Sequence, residues 1–360
     1  MQAKDFNFEQ FGYFLEEKQK LLKKLMNNEY RGPVLTQRVC GDTFGVASQT
    51  KEKSLADQLD CMNVKMQLHS DVAFGYLEPW CGVGVYANAF GAPLFRYAHC
   101  DVQTKSRYHD VEEVANVPMP RAGECELMQE ALEFIRYFRE ETHDLIPISL
   151  TDTQSPLDSA SLILDPCELF AASLEEPEAV EDFMSKVTQS VIDFSEMQIE
   201  AIGENVYTAP GHMMLSDNSF SGIALSDDNM AVVSPTSYAA IGKPYNEILS
   251  RHFGGLALHS CGVITHNVPL LLETEGLKQL DFKITDFEPN DAAYLAEKFA
   301  NTDILIKPCV YPNEDLNRLL PLLRTDVKLL IHVFTSGDVD QCNRQYDQVA
   351  QFVHDHYRTV

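Results

Sequence analysis

The tetrad His259-Ser260-Cys261-Gly262 follows the short apolar run 255–258. Residues two apart in an extended strand project to the same side, so an imidazole and a soft thiolate placed there can share one metal ion. Catalytic zinc takes three protein ligands and leaves one position for water or substrate, so a third donor has to come from elsewhere. Cys309, Cys342, His332, Asp286 and Glu288 are the candidates, and Cys309 is favoured by its place at the end of another apolar run. Zinc with thiolate ligands lowers the pKa of a bound thiol, which then attacks an electrophilic methyl group as a thiolate at neutral pH. A zinc-hydroxide hydrolase would call for more histidines or a His-Glu-x-x-His pattern, and the chain has none. Against any metal stands chance: nine cysteines and eleven histidines can produce a His-x-Cys triplet, and buried free cysteine often serves only as a small apolar residue.

Other polar residues could line the same site. Asp152 and Asp158, in Thr151-Asp152-Thr153-Gln154-Ser155-Pro156-Leu157-Asp158, and the pair Asp227-Asp228 are candidates for proton handling or substrate positioning. Turn and helix-cap chemistry competes for each of these aspartates. Trp80, the single tryptophan, is a candidate pocket wall or a core residue. Gly82-x-Gly84 followed by Phe90-Gly91 lacks the third glycine of a dinucleotide loop. His69, His99, His109, His143 and His212 are isolated and read as solvated or hydrogen-bonded side chains.

The elements that must position these groups are eight short apolar runs, at 34–39, 72–77, 145–150, 222–225, 255–258, 281–285, 304–307 and 328–334. Between the later runs, helix starts are announced by Ser234-Pro235, Pro289-Asn290-Asp291 and Pro312-Asn313-Glu314. Strand and helix alternating in this way imply a parallel sheet with crossover helices, and eight units in this length imply an α/β fold of the (β/α)8 TIM barrel type. Residues 1–30 carry Phe6, Phe8, Phe11, Phe14, Leu15, Leu21, Leu22 and Leu25 at helical spacing, which predicts an N-terminal helical extension lying on a barrel of residues 31–360. The stretch 81–121 reads as a long insertion near the second strand. A barrel places its active site at the carboxyl ends of its strands. That rule gathers Trp80, Asp152, Gln154, Asp227, Asp228, His259, Cys261, Cys309 and His332, with Asp152 and Asp227 as catalytic candidates and Trp80, Gln154, Asp228 and His332 as substrate contacts.

The formal net charge of -26 works against a nucleic-acid or anionic-membrane partner. No apolar run approaches a membrane span, the first 24 residues do not read as a signal peptide, and nine scattered cysteines suit reduced thiols, so a cytoplasmic location is expected.

The segments Ile148-Ser149-Leu150 through Pro156-Leu157-Asp158, Leu169-Phe170, Glu176-Pro177-Glu178, Leu225-Ser226-Asp227-Asp228, Val233 to Tyr238, Pro244-Tyr245 and Leu258 to Gly262 resemble the uroporphyrinogen decarboxylase superfamily. The resemblance covers the chain from about residue 145 to its end and implies a (β/α)8 barrel. The haem-synthesis decarboxylases of that superfamily carry an arginine-bearing motif near the first strand, which residues 32–45 do not reproduce; Arg38 is the nearest stand-in. The other branch comprises cobalamin-dependent and cobalamin-independent methyltransferases in which His-x-Cys after the fifth strand and a later cysteine bind zinc and activate a thiol such as coenzyme M. His259 and Cys261 match the first two positions. The third cysteine is expected at the end of the eighth strand, where this chain has His332-Val333-Phe334-Thr335-Ser336; Cys342 lies beyond it and Cys309 one strand earlier. No Asp-x-His-x-x-Gly corrinoid motif is present, so a methyl-corrinoid would arrive on a partner protein. The resemblance thus implies a zinc-dependent methyltransferase acting between a corrinoid protein and a thiol or other small acceptor. The alternatives are a metal-free decarboxylase of a tetrapyrrole or small carboxylic acid, and a non-catalytic corrinoid- or tetrapyrrole-binding component.

Overall fold

The computed structural model describes residues 1–39, 50–97, 101–207 and 221–357. Its strands, apart from a small antiparallel hairpin (Leu94–Phe95 with Gln103–Thr104), are β1 (Val34–Val39), β2 (Ile148–Ser149), β3 (Val206–Tyr207), β4 (Ile223–Ser226), β5 (Leu256–His259), β6 (Leu277–Lys283), β7 (Leu305–Val310) and β8 (Leu330–Thr335). Six of them form one parallel sheet in the order β1-β8-β7-β6-β5-β4, and β2 pairs with β3. The first and last strands are full neighbours, from Val34 opposite Leu330 to Val39 opposite Thr335.

On the other side the ladder is broken into single contacts. The Val72 amide donates to Leu35 O, Leu77 bridges to Ile148, and Gln154 bridges to Ser226. Helices flank the sheet, so the architecture is a distorted, TIM-barrel-like α/β fold with an N-terminal helical segment. The expected strand 72–77 survives only as the bridge at Leu77, and 145–150 shrinks to β2. β6 begins four residues before the expected 281, because Lys278 and Gln279 interrupt the apolar run without interrupting the strand.

Helix starts follow the local chemistry. Ser234 accepts from the Ser237 amide ahead of the helix Pro235–Ile241, and Asp291 caps Ala292–Phe299. After Pro312 the chain instead forms a 3-10 turn, Leu316–Leu322, capped by Asp315. The insertion 81–121 holds the hairpin and two short helices, Val85–Ala89 and Val111–Ala115.

The N-terminal helix α1 (Phe8–Met26) lies as its apolar stripe demands, with Phe11, Leu15, Leu22 and Leu25 inward. Leu22 and Leu25 pack on Val34, Leu305 and Leu330, the first residues of β1, β7 and β8. This helix therefore covers the amino ends of the strands. Phe11 fills the space over Gly75, where a Cβ would lie 2.3 Å from Phe11 Cζ.

Alternation along the strands sets which groups face the site. On β6, Leu280 and Phe282 are buried on one face, while Gln279, Asp281 and Lys283 share the other. Lys307 and Cys309 on β7 lie beside them, since Asp281 pairs with Lys307 and Lys283 with Cys309; His332 on β8 pairs with Cys309. Barrel interiors are usually filled with branched aliphatic residues. Here one wall is polar, and fully buried Lys307 donates to Gln279.

Candidate metal centre

The turn after β5 is shaped by Gly262, whose φ of +98° falls in the region that favours glycine and whose Cβ would lie 2.7 Å from that of Ala231. Its amide donates to Glu288 Oε2 at 2.8 Å, which ties this turn to the one after β6. The turn after β4 is fixed by Asp158, which accepts from the amides of Asp228 and Asn229 at 2.6 and 2.8 Å. Asp228 then reaches across and accepts from the Cys261 amide at 2.6 Å.

Three donors converge as a result. His259 Nε2 is 3.3 Å from Cys261 Sγ and 3.9 Å from Asp228 Oδ1, and the three ligand atoms all lie within 4.8 Å of one another. A tetrahedral zinc with ordinary Zn–N, Zn–O and Zn–S bonds sets its ligand atoms roughly 3.3 to 3.6 Å apart, so the donor set fits once the Asp228 carboxylate moves inward. His259 is buried, Cys261 is partly buried and Asp228 is exposed, which leaves the solvent side open for a fourth ligand.

The other ring nitrogen of His259 is also spoken for. Nδ1 lies 2.6 Å from Oδ1 of the fully buried Asp281, the carboxylate partner that fixes the tautomer and orientation of a metal-binding histidine. A register shift between Leu256 and Ala257 brings Asp281 into place, by setting Ala257 opposite Gln279. Continuing the Leu256–Leu277 register without the shift would put His259 opposite Leu280. Burial alone would lower the pKa of His259, but the hydrogen bonds to Asp281 and Cys261 overcome it and hold the pKa well above the usual histidine range. Lys283 Nζ is 3.8 Å from Cys261 Sγ and 2.7 Å from Glu288 Oε1; burial would depress its pKa, and the bond to Glu288 with the charge of Cys261 raises it instead.

Asp152 borders this centre. It is buried, accepts from Gln154, and has its pKa pushed up to about 7, first by burial and then by the charge of Asp228, with His259 pulling the other way. Asp101, which accepts from Trp80 Nε1 at 2.9 Å, raises it further. Asp152, Gln154, Asp228, His259, Cys261 and, at the margin, Trp80 are thus brought together. Asp227 faces away into a buried knot, where Ser155, Tyr238 and Asn246 donate to it at 3.1, 2.8 and 2.7 Å, and burial pushes its pKa to about 6.

The remaining donors fall elsewhere. Cys309 and His332 are fully buried and group with Asp281 behind His259, not with the outer three donors. Burial and then Asp281 push the Cys309 thiol well above its usual pKa; burial and then Lys307 and Arg38 push His332 well below. Cys342 sits in the C-terminal helix Val339–His356 and donates to Gly337 O, outside both groups. Asp286 pairs with Arg318, and Glu288 with Lys283. Asp281 is the functional candidate the sequence reading missed; its one signal was a carboxylate inside an apolar strand. Cys40, His99, Cys100 and His212 lie outside the described residues.

The uroporphyrinogen decarboxylase (URO-D) family model matches residues 33–277. The chain belongs to the uroporphyrinogen decarboxylase family. Among solved structures, a methyltransferase from Methanosarcina mazei is similar at a TM-score of 0.63 and 15% identity, covering 92% of this chain and 97% of that one. At that identity the likeness shows a shared fold alone. No curated protein matches the chain. Among the described residues no helix is long and apolar enough to cross a membrane. The URO-D match takes in Asp152, Asp228, His259 and Cys261, and ends at the first residue of β6.

Proposed function

We propose that this protein is a zinc-dependent methyltransferase on a complete (β/α)8 frame, moving a methyl group between a corrinoid carried by a partner protein and a thiol or other small acceptor. The observation that carries the reading is the convergence of Asp228, His259 and Cys261 at the carboxyl ends of β4 and β5, with His259 anchored by Asp281. A zinc ion held there would supply Lewis acidity, lowering the pKa of an acceptor thiol in the open position. Asp228 takes the third place that the resemblance assigns to a later cysteine, and Cys309 and Cys342 stand outside it.

The protein's own groups have distinct tasks. Lys283 sets a positive charge 3.8 Å from the sulfur of Cys261. Asp158 and Glu288 fix the two turns so that the donors meet. Asp152, with its pKa near neutrality, accepts the proton lost by the acceptor thiol and returns it to solvent. Gln154 donates to Asp152, and Trp80 donates to Asp101, whose charge acts on Asp152.

Zinc-replete protein should demethylate methylcobalamin in the presence of a small thiol, and Cys261→Ser or His259→Ala should abolish the reaction. Transfer that survives both substitutions, or no transfer to any small thiol by protein of verified zinc content, refutes the reading. The same Asp152 favours a second one, a metal-free decarboxylase in which its proton quenches the carbanion left by carbon dioxide. Carbon dioxide release from a carboxylated tetrapyrrole that persists after chelation would select it.

A further inference from the structure

The donors left behind His259 form a second constellation. Asp281 Oδ2 lies 3.7 Å from Cys309 Sγ and 3.5 Å from His332 Nδ1, and the three ligand atoms are within 4.8 Å of one another. All three side chains are fully buried, on adjacent strands β6, β7 and β8. Among the described residues neither ring nitrogen of His332 has a hydrogen-bond partner. A fully buried imidazole without a hydrogen bond is costly and uncommon, and a bound ion would satisfy one of its two nitrogens.

We infer that Asp281, Cys309 and His332 bind a second divalent metal ion, in a closed site beneath the outer one. Nitrogen, sulfur and oxygen donors of this kind suit zinc or a similarly borderline-soft cation. One thiolate and one carboxylate neutralise its two charges, so the occupied site carries no net charge into the interior. Arg38 and Lys307 face it and oppose a cation, but Lys307 is engaged by Gln279. No solvent-facing side is left at this site, so its ion clamps β6, β7 and β8 and does not meet substrate. Asp281 touches both sites, with Oδ1 on His259 and Oδ2 on the inner donors.

The inference stands apart from the methyltransferase reading, because it concerns metal count and not turnover. The test is titration of chelator-stripped full-length protein with Co2+, following the thiolate-to-cobalt charge-transfer absorption. Wild-type protein should take up two equivalents, one lost in Cys261→Ser and the other in Cys309→Ser and in His332→Gln. The wild-type count does not depend on the variants folding, and circular dichroism checks that they do. Saturation at one equivalent that vanishes in Cys261→Ser and persists in Cys309→Ser overturns the inference. So does a second equivalent indifferent to both Cys309 and His332. A single equivalent that survives Cys261→Ser and disappears in Cys309→Ser supports the inner ion and removes the outer one, so the two readings fail separately.

Discussion

Asp281→Asn is the most informative single change at the outer centre. It keeps the size of the side chain and replaces a carboxylate, 2.6 Å from His259 Nδ1, by a neutral amide in a site where both partners are buried. The charged partner raises the basicity of the imidazole and fixes its Nε2 toward Cys261 and Asp228; an amide can do only the second. Loss of such a partner weakens metal binding by about 10- to 100-fold, or about 1.4 to 2.8 kcal/mol. Because Asp281 also belongs to the inner donor group, the comparison belongs in a Cys309→Ser background, where Cys261 alone reports. Zinc affinity measured by competition with a chromophoric chelator should fall within that range, and His259→Ala should cost more. An affinity unchanged within twofold would show that the carboxylate does not tune the ligand. A loss equal to that of His259→Ala would show that the histidine is misplaced without it.

Asp152→Asn should reveal the strain of burying a carboxylate. The folded-state pKa of Asp152, about 7, lies above its ordinary 3.8, so the native state holds the proton more tightly than the unfolded chain does. The stability associated with that proton is complete below pH 3.8 and is lost as pH rises to 7, amounting to up to about 4 kcal/mol. The metal-free variant should therefore match wild type in urea unfolding near pH 4 and exceed it at pH 8; equal stability at pH 8 would contradict this. Tyr238→Phe removes one of the donors to buried Asp227 and should cost about 1.5 to 3 kcal/mol in the same assay. A cost below about 0.5 kcal/mol would mean that Asn246 and Ser155 suffice to hold the carboxylate.

The His259–Cys261 pair was legible because a single strand displays both residues on one side. The parallel sheet was legible for a similar reason: β1, β4, β5, β7 and β8 are short apolar runs bounded by turns. What the sequence hid depends on register and on neighbours across strands. Asp281 meets His259 only through the shift between Leu256 and Ala257, a backbone irregularity with no residue signature. Asp228 reads as an ordinary turn aspartate until the turn after β4 is folded beside the one after β5. Cys309 looked suitable as a third zinc ligand because of its strand-end position, yet its side chain faces the inner donors. The start of β6 lies four residues ahead of the expected 281 because Lys278 and Gln279 break the apolar pattern that marks a buried strand.

The pairing of β1 with β8 also bears on how this chain is made. Residues 34–39 leave the ribosome about 300 residues before 330–335, the strand that completes their ladder. At ordinary rates of synthesis the edge of β1 waits roughly 15 to 60 s for its partner. Over that interval the emerging chain offers an unmatched strand edge, on which another nascent chain could pair. Helix α1 is synthesised ahead of β1 and packs its Leu22 and Leu25 on Val34, so it can shield the start of that edge during the wait. On this view the N-terminal helix acts as a cotranslational guard, and its removal should be felt in the yield of soluble protein before it is felt in the finished fold.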